Sequence, residues 1–206
     1  MPDLTPTDTL ADTLAAIAAK TPTPGGGATA ALAGALAAAQ ARMVVAYSIG
    51  KTSLAEHEPA LAAARSRLER MGTAFLELAG EDAAAYALLS ELLRMPVDDP
   101  RRRSDLPAAA DAATRVPLAC VAASTALTRL CLDLTTITNR RLHSDLAIAA
   151  ILAEAAARAG ARNVTVNLPT LSEHAGQDRA DAARRDLDRL RGDSASLLQR
   201  TLDALG

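Results

Sequence analysis

With 206 residues and about a quarter of them alanine, the chain has the material for one large domain with a full core. Trp is absent and aromatics make up 1% of the chain; so many small side chains suit helices whose axes pack closely. A formal net charge of −2 and a pI near 5.9 exclude a nucleic-acid binder that works through a basic face. No apolar run reaches the roughly 18 to 20 residues of a membrane span without Gly, Arg or Gln interrupting it. The first residues lack a basic region followed by an apolar one, so a cytoplasmic protein is expected. Cys120 and Cys131 are the only cysteines. On one helix they would stand about 16 Å apart, too far to bridge, which fits a reduced compartment.

Period-2 alternation is nearly absent, so the whole of 1–206 is expected to be a single all-α domain. Thr7 or Asp8 can cap a first helix to about Ala19, with Leu10, Leu14 and Ile17 on one face. A proline- and glycine-rich stretch follows, then a second helix from about Ala28 to Ile49. Its small residues Ala31, Gly34, Ala35, Ala38 and Ala41 recur at helical spacing, and Gly50 ends it. A third helix is expected over Glu58–Leu93, with Pro59 in its first turn and a core stripe of Leu61, Leu68, Met71, Phe75 and Leu78. The segment Arg94–Ser104 reads as a loop. A fourth helix starts at Ser104 or Asp105 and is expected to kink or break at Pro117. Ser144 or Asp145 can cap a further helix ending at Gly160; Val164–Leu168 reads as a connector. The last helical stretch, from Glu173, is expected to break near Gly192.

The stretch Pro22-Thr23-Pro24-Gly25-Gly26-Gly27 organises the rest. Its prolines enforce an extended approach, and its glycines leave backbone amides uncovered just before a helix. Bare amides at a helix N-terminus suit an anion or a flat ligand that must approach the backbone. The alternative is a tight turn where two helices cross. No Gly-Lys-Ser/Thr follows, as a P-loop requires, and no strand precedes, as a dinucleotide fingerprint requires.

From Pro22 through Ala28-Thr29-Ala30-Ala31-Leu32-Ala33-Gly34-Ala35-Leu36, continuing to Met43-Val44 and Ile49-Gly50-Lys51, the chain resembles the opening signature of the cyclodeaminase/cyclohydrolase family. That family comprises the deaminase domain of formiminotransferase-cyclodeaminase and methenyltetrahydrofolate cyclohydrolases. Four later segments resemble it in the same order: Asp82-Ala83-Ala84-Ala85-Tyr86, Val116-Pro117, Asn139 to Asp145, and Asn163-Val164-Thr165-Val166-Asn167-Leu168. The chain departs from the pattern at Thr138, where a glycine is usual, and at Leu146, where a small residue is usual.

The resemblance implies an up-and-down bundle of long Ala-rich helices that dimerises through helices, and a folate substrate with no metal or nucleotide cofactor. Cyclohydrolysis adds water to the amidinium carbon of methenyltetrahydrofolate; cyclodeamination closes a ring on a formimino carbon and releases ammonia. Both need one proton removed and one delivered, which a positioned carboxylate can do. Asp82 and Asp145 are the candidates, with His143 as a further proton carrier. Pro24, Gly25, Gly26 and Gly27 are expected to line the polar end of the pterin. Asn163 and Asn167 are expected to bond its donors and acceptors, and Asn139 and Ser144 belong to the same substrate-binding set. Lys51, Arg140 and Arg141 would meet glutamate carboxylates. Against these stand plainer roles: a helix cap for Asp145, a solvated position for Asp82, surface charge for the cations, a turn for Asn163 and Asn167. Scattered His57, His143 and His174 form no metal-ligand spacing. Cyclohydrolase is preferred because no transferase domain is fused to hand over a formimino group. Cyclodeaminase and a non-catalytic helical interaction protein are the alternatives. No membrane or nucleic-acid partner is expected.

Overall fold

The protein, here a computed structural model, is described over residues 8–206. Those residues contain six α-helices and no strand: α1 (Leu10–Ala18), α2 (Gly26–Ala46), α3 (Glu58–Arg94), α4 (Pro100–Leu134), α5 (His143–Ala175) and α6 (Gln177–Leu205). Short 3-10 turns at Thr52–His57 and Arg140–Leu142 precede α3 and α5. From α2 onward each long helix packs on the next, and α2 also packs on α5, closing an up-and-down bundle. The all-α architecture is the expected one.

Thr9, not Asp8, caps α1 by accepting from the Asp12 amide at 3.1 Å; Thr7 lies outside the described residues. α1 buries none of its residues. α2 starts two residues earlier than expected, inside the glycines, because Gly26 and Gly27 adopt helical backbone. Its alanines Ala28, Ala31, Ala38 and Ala41 are buried. Gly34 lets it lie directly on α3: a Cβ there would overlap the ring of Phe75, itself fully buried. By composition α2 and α4 are long and apolar enough to cross a membrane, but half of each such stretch is buried in the bundle.

Four expected breaks are absent. α4 begins at Pro100, where Asp99 accepts from the amides of Arg101 and Arg102 at 2.8 and 3.1 Å, so the loop shrinks to residues 95–99. It then runs unbroken through Pro117. Pro117 has no N–H to give the carbonyl four residues back, that of Ala113. Asn167 of α5 donates its Nδ2–H to that carbonyl instead, at 2.6 Å. α5 in turn runs through Gly160 and Pro169, so Val164–Leu168 is helix and not a connector. Gly160 is a crossing point: a Cβ there would lie 3.1 Å from Val121 and 3.3 Å from the Pro117 carbonyl. The actual break falls at Gly176, whose φ of 103° is left-handed, and α6 passes through Gly192. Cys120 and Cys131 share α4 as buried free thiols, and burial pushes them up to about 11 and about 12.

Two helical glycines should respond oppositely to alanine. Gly34→Ala must displace Phe75 and should cost about 1–3 kcal/mol. Gly72→Ala meets nothing within 4 Å and should gain up to about 1 kcal/mol of helix propensity. Urea denaturation followed by circular dichroism measures both, and equal effects would contradict this packing.

Candidate active site

The N-terminus of α2 has no side-chain cap from its own segment, since Gly25 has none to offer. Asp82, midway along α3, supplies one: its carboxylate accepts from the backbone N–H of Ala28. An acid at that end of a helix satisfies an orphan donor and meets the positive end of the dipole. The approach is so close that a Cβ on Gly27 would overlap the carboxyl group. Gly27 is therefore the glycine that must stay bare. At Gly26 a Cβ would make only ordinary contact with the Asn163 side chain, at 3.5 Å.

Beside this contact is a cavity of about 250 Å³. Pro22, Thr23 and Gly25–Gly27 form one wall; Asp82 and Tyr86 of α3, Ala113 of α4, and Asn163, Val166 and Asn167 of α5 form the others. Asn163 and Asn167 sit one helical turn apart, so both face the glycines. The bond from Asn167 to the Ala113 carbonyl fixes its amide and leaves its oxygen as an acceptor. Tyr86 and Val166 are exposed at the rim, offering an apolar edge to a flat ring. Asp82 is the only ionisable carboxylate of the lining, and no Lys or Arg lines the cavity.

Burial raises the Asp82 carboxyl above its ordinary value of 3.8 and outweighs the Ala28 hydrogen bond, which acts downward. The thiol of Cys120, across on α4, feels the same carboxylate. A carboxyl moved toward neutrality beside uncharged amide groups can take a proton from one reacting atom and return it to another.

The other expected site residues lie elsewhere. Pro24 is buried behind the loop rather than in the lining. Lys51, Asn139, Arg140, Arg141, His143, Ser144 and Asp145 lie toward the other end of α2, roughly 20 to 30 Å along the helix from Gly26 at 1.5 Å per residue, with Asp145 beside Gln40 and the Asn139 turn beside Ser48. The Asn139 amide donates to Ser48 Oγ at 2.9 Å, tying that turn to the end of α2. The Asn139 side chain accepts from the Arg141 amide within its own turn; Asn163 and Asn167, whose plainer role would be a turn, lie inside α5 instead. Asp145 is no cap, because α5 begins at His143 with Leu142 before it. It accepts from Gln40 Nε2 at 2.9 Å across the α2–α5 seam. His143 Nε2 is buried without a hydrogen-bond partner. Lys51, Arg140 and Arg141 are exposed. Thr138 and Leu146, where the chain departs from the family pattern, are both buried at this same end. One chain thus holds two separate groups: an acidic cavity and, a helix length away, a basic turn. Among the described residues no three His, Cys, Asp or Glu side chains cluster as a metal site. Ala113 and Val166 went unnoticed in the sequence; only their helical spacing from Pro117 and Asn163 pointed to them.

The fold and cavity define a helical-bundle protein whose site joins a glycine-rich helix start to a half-buried carboxylate. Residues 9–186 match the formiminotransferase-cyclodeaminase family, and the chain belongs to it. It is 29% identical to the methenyltetrahydrofolate cyclohydrolase of Methylorubrum extorquens, over 96% of each chain. Its fold matches the crystal structure of formiminotetrahydrofolate cyclodeaminase from Thermotoga maritima with a TM-score of 0.89 and 24% identity, over 97% of this chain and 96% of that one.

The raised Asp82 sets the sign of a pH effect on stability. Its protonated form is the better accommodated one in the folded state. That contribution is complete below the ordinary value of 3.8 and is lost as pH rises through the raised value. Asp82→Asn mimics the protonated form, so its Tm relative to wild type should rise between about pH 4 and about pH 7. Scanning calorimetry at the two pH values checks this, and a relative Tm that falls with pH would contradict it.

Proposed function

We propose that the protein is a methenyltetrahydrofolate cyclohydrolase, converting 5,10-methenyltetrahydrofolate and water to 10-formyltetrahydrofolate. The half-buried Asp82 carboxyl in an otherwise uncharged cavity carries this reading, and the cyclohydrolase relative of nearly equal length supports it. The substrate's amidinium is cationic, and a lone carboxylate beside it is the group that both attracts it and accepts a proton. Water adds to the amidinium carbon, forming a C–O bond, and gives its proton to Asp82. The tetrahedral carbon then expels the ring nitrogen N5, which receives the proton from Asp82. The remaining hydroxyl proton leaves as the formyl group forms on N10.

Asn163 and the free Asn167 oxygen offer partners to a pterin's amide edge, and the glycine amides of α2 offer donors. The cavity is at the small end of ligand sites, so it suits the bicyclic head and leaves the tail outside. Proton transfer by Asp82 needs neither metal nor nucleotide cofactor. The same reading makes the protein a cytoplasmic homodimer, in keeping with its two free, buried cysteines and an apolar α2, and gives it no membrane or nucleic-acid partner.

Loss of the substrate's near-ultraviolet absorbance, corrected for the buffer reaction, tests the assignment. Asp82→Asn should lower turnover by about 10²-fold or more with the helical spectrum unchanged. Gly26→Val points a branched side chain into the cavity and should weaken folate binding while the bundle stays folded. Ammonia release from formiminotetrahydrofolate, without hydrolysis of the methenyl compound, would assign the chain to cyclodeamination. Neither activity, with no folate binding by calorimetry, would leave a non-catalytic helical protein.

A further inference from the structure

The Asp82 cavity has no cation in its lining and, at about 250 Å³, is sized for the head of the proposed substrate alone. The charges flanking its mouth therefore decide where the tail goes. On the α3 side they are negative: Glu81, beside Asp82, is exposed and makes no ion pair among the described residues. On the α5 side they are positive. With Asn163 and Asn167 facing the glycines, Val166 stands about 60° round the helix from Asn163, and Arg162 about 100° in the same direction, at about 100° per residue. Arg162 thus lies beside Val166 on the outer face of α5, one turn nearer the start of that helix. It is exposed. Arg158 is taken up by Glu154, and Arg115 and Arg179 by Asp111. Arg162 makes no ion pair among the described residues.

We propose that Arg162 holds the ligand's anionic tail: with the ring system in the cavity, the tail crosses Val166 and one of its carboxylates pairs with the Arg162 guanidinium. The ligand's identity, a folate whose tail ends in glutamate, rests on the proposed function. Charge sets the direction. An anionic tail leaving over α3 would meet Glu81, and one leaving over α5 meets a cation. The spacing suits as well. Arg162 is four residues, or about 6 Å along the helix axis, from the Val166 rim. Side chains on a helix lean toward its start, which carries the guanidinium further from the mouth. An aminobenzoyl ring spans that gap, lying on the exposed apolar side chain of Val166. The planar guanidinium can then grip a carboxylate through two parallel N–H bonds. Because α5 carries Asn163 and Asn167 at the head and Arg162 at the tail, one rigid helix sets the distance between the two contacts. Lys20, two residues before Pro22, is exposed too, but it stands in a run of bends between α1 and α2 and offers a single point charge.

Calorimetry on the full chain tests this, with 5-formyltetrahydrofolate and with its diamide, whose two tail carboxylates are replaced by uncharged amides. Arg162→Glu should weaken binding of the acid about tenfold and leave binding of the diamide as in wild type. Arg162→Lys keeps the charge but not the fork, and should fall between the two. Added salt should weaken binding of the acid more in wild type than in Arg162→Glu. Since Arg162 is exposed, the helical spectrum should not change in either variant. Equal binding of the acid by wild type and Arg162→Glu overturns the tail contact. So does an equal loss with the diamide, which would make Arg162 a matter of shape and not of charge. A loss in Lys20→Glu, or in the pair Arg140→Glu/Arg141→Glu, with none in Arg162→Glu gives the tail to those cations and overturns it as well. The reaction is read separately. Where Arg162→Glu loses the acid selectively but the wild type does not hydrolyse the methenyl compound, the proposed reaction fails and the tail contact stands. A wild type that binds no folate overturns both.

Discussion

A carboxylate from the middle of α3 can cap α2 only if the two backbones come unusually close, and the Asp82–Ala28 hydrogen bond therefore dictates much of what surrounds it. It excludes any side chain at Gly27. It asks for a second close approach two turns on, which Gly34 supplies by seating the Phe75 ring. It also leaves Asp82 short of solvent, which raises its carboxyl above the ordinary value of 3.8. Structural and chemical duties fall on one side chain. Capping alone would favour the charged form; burial opposes it and wins.

The opposite wall depends on a missing donor. Pro117 leaves the Ala113 carbonyl unpaired within α4, and Asn167 of α5 takes up that carbonyl at 2.6 Å. A buried carbonyl without a partner is costly, so the bond locks the two helices in register as well as orienting the amide. Gly160 permits the same crossing one step further along, against Val121 and the Pro117 carbonyl. An element read from sequence as a helix breaker is thus the reason a site residue points where it does.

Helix class was legible because composition and a 3.6-residue period leave little else for an Ala-rich chain without alternation. Helix ends were less so. Pro117 and Pro169 did not break their helices, and Gly160 and Gly192 did not cap theirs. Local propensity penalises such residues, while a partner helix can satisfy the freed carbonyl or require the missing Cβ, and neither is visible from neighbours in the chain. The site was half legible. The glycine stretch announced bare amides on its own, but nothing in spacing places Asp82 against Gly27; the family resemblance put both in one candidate site, and only the fold sets them in contact. The same resemblance gathered Asp145, His143 and the arginines into one set with Asp82. A linear motif carries no distance, and a single chain sets the two groups at opposite ends of α2.

The central claim is that the raised Asp82 carboxyl performs the proton transfer. The acid limb of kcat/KM against pH for methenyltetrahydrofolate hydrolysis tests it most directly, because that limb reports an essential base in the free enzyme. With Asp82 in that role, the limb has its midpoint above the ordinary carboxylate value of 3.8 and disappears in Asp82→Asn. A limb that survives unchanged in Asp82→Asn would place the proton-transfer group elsewhere and contradict the account.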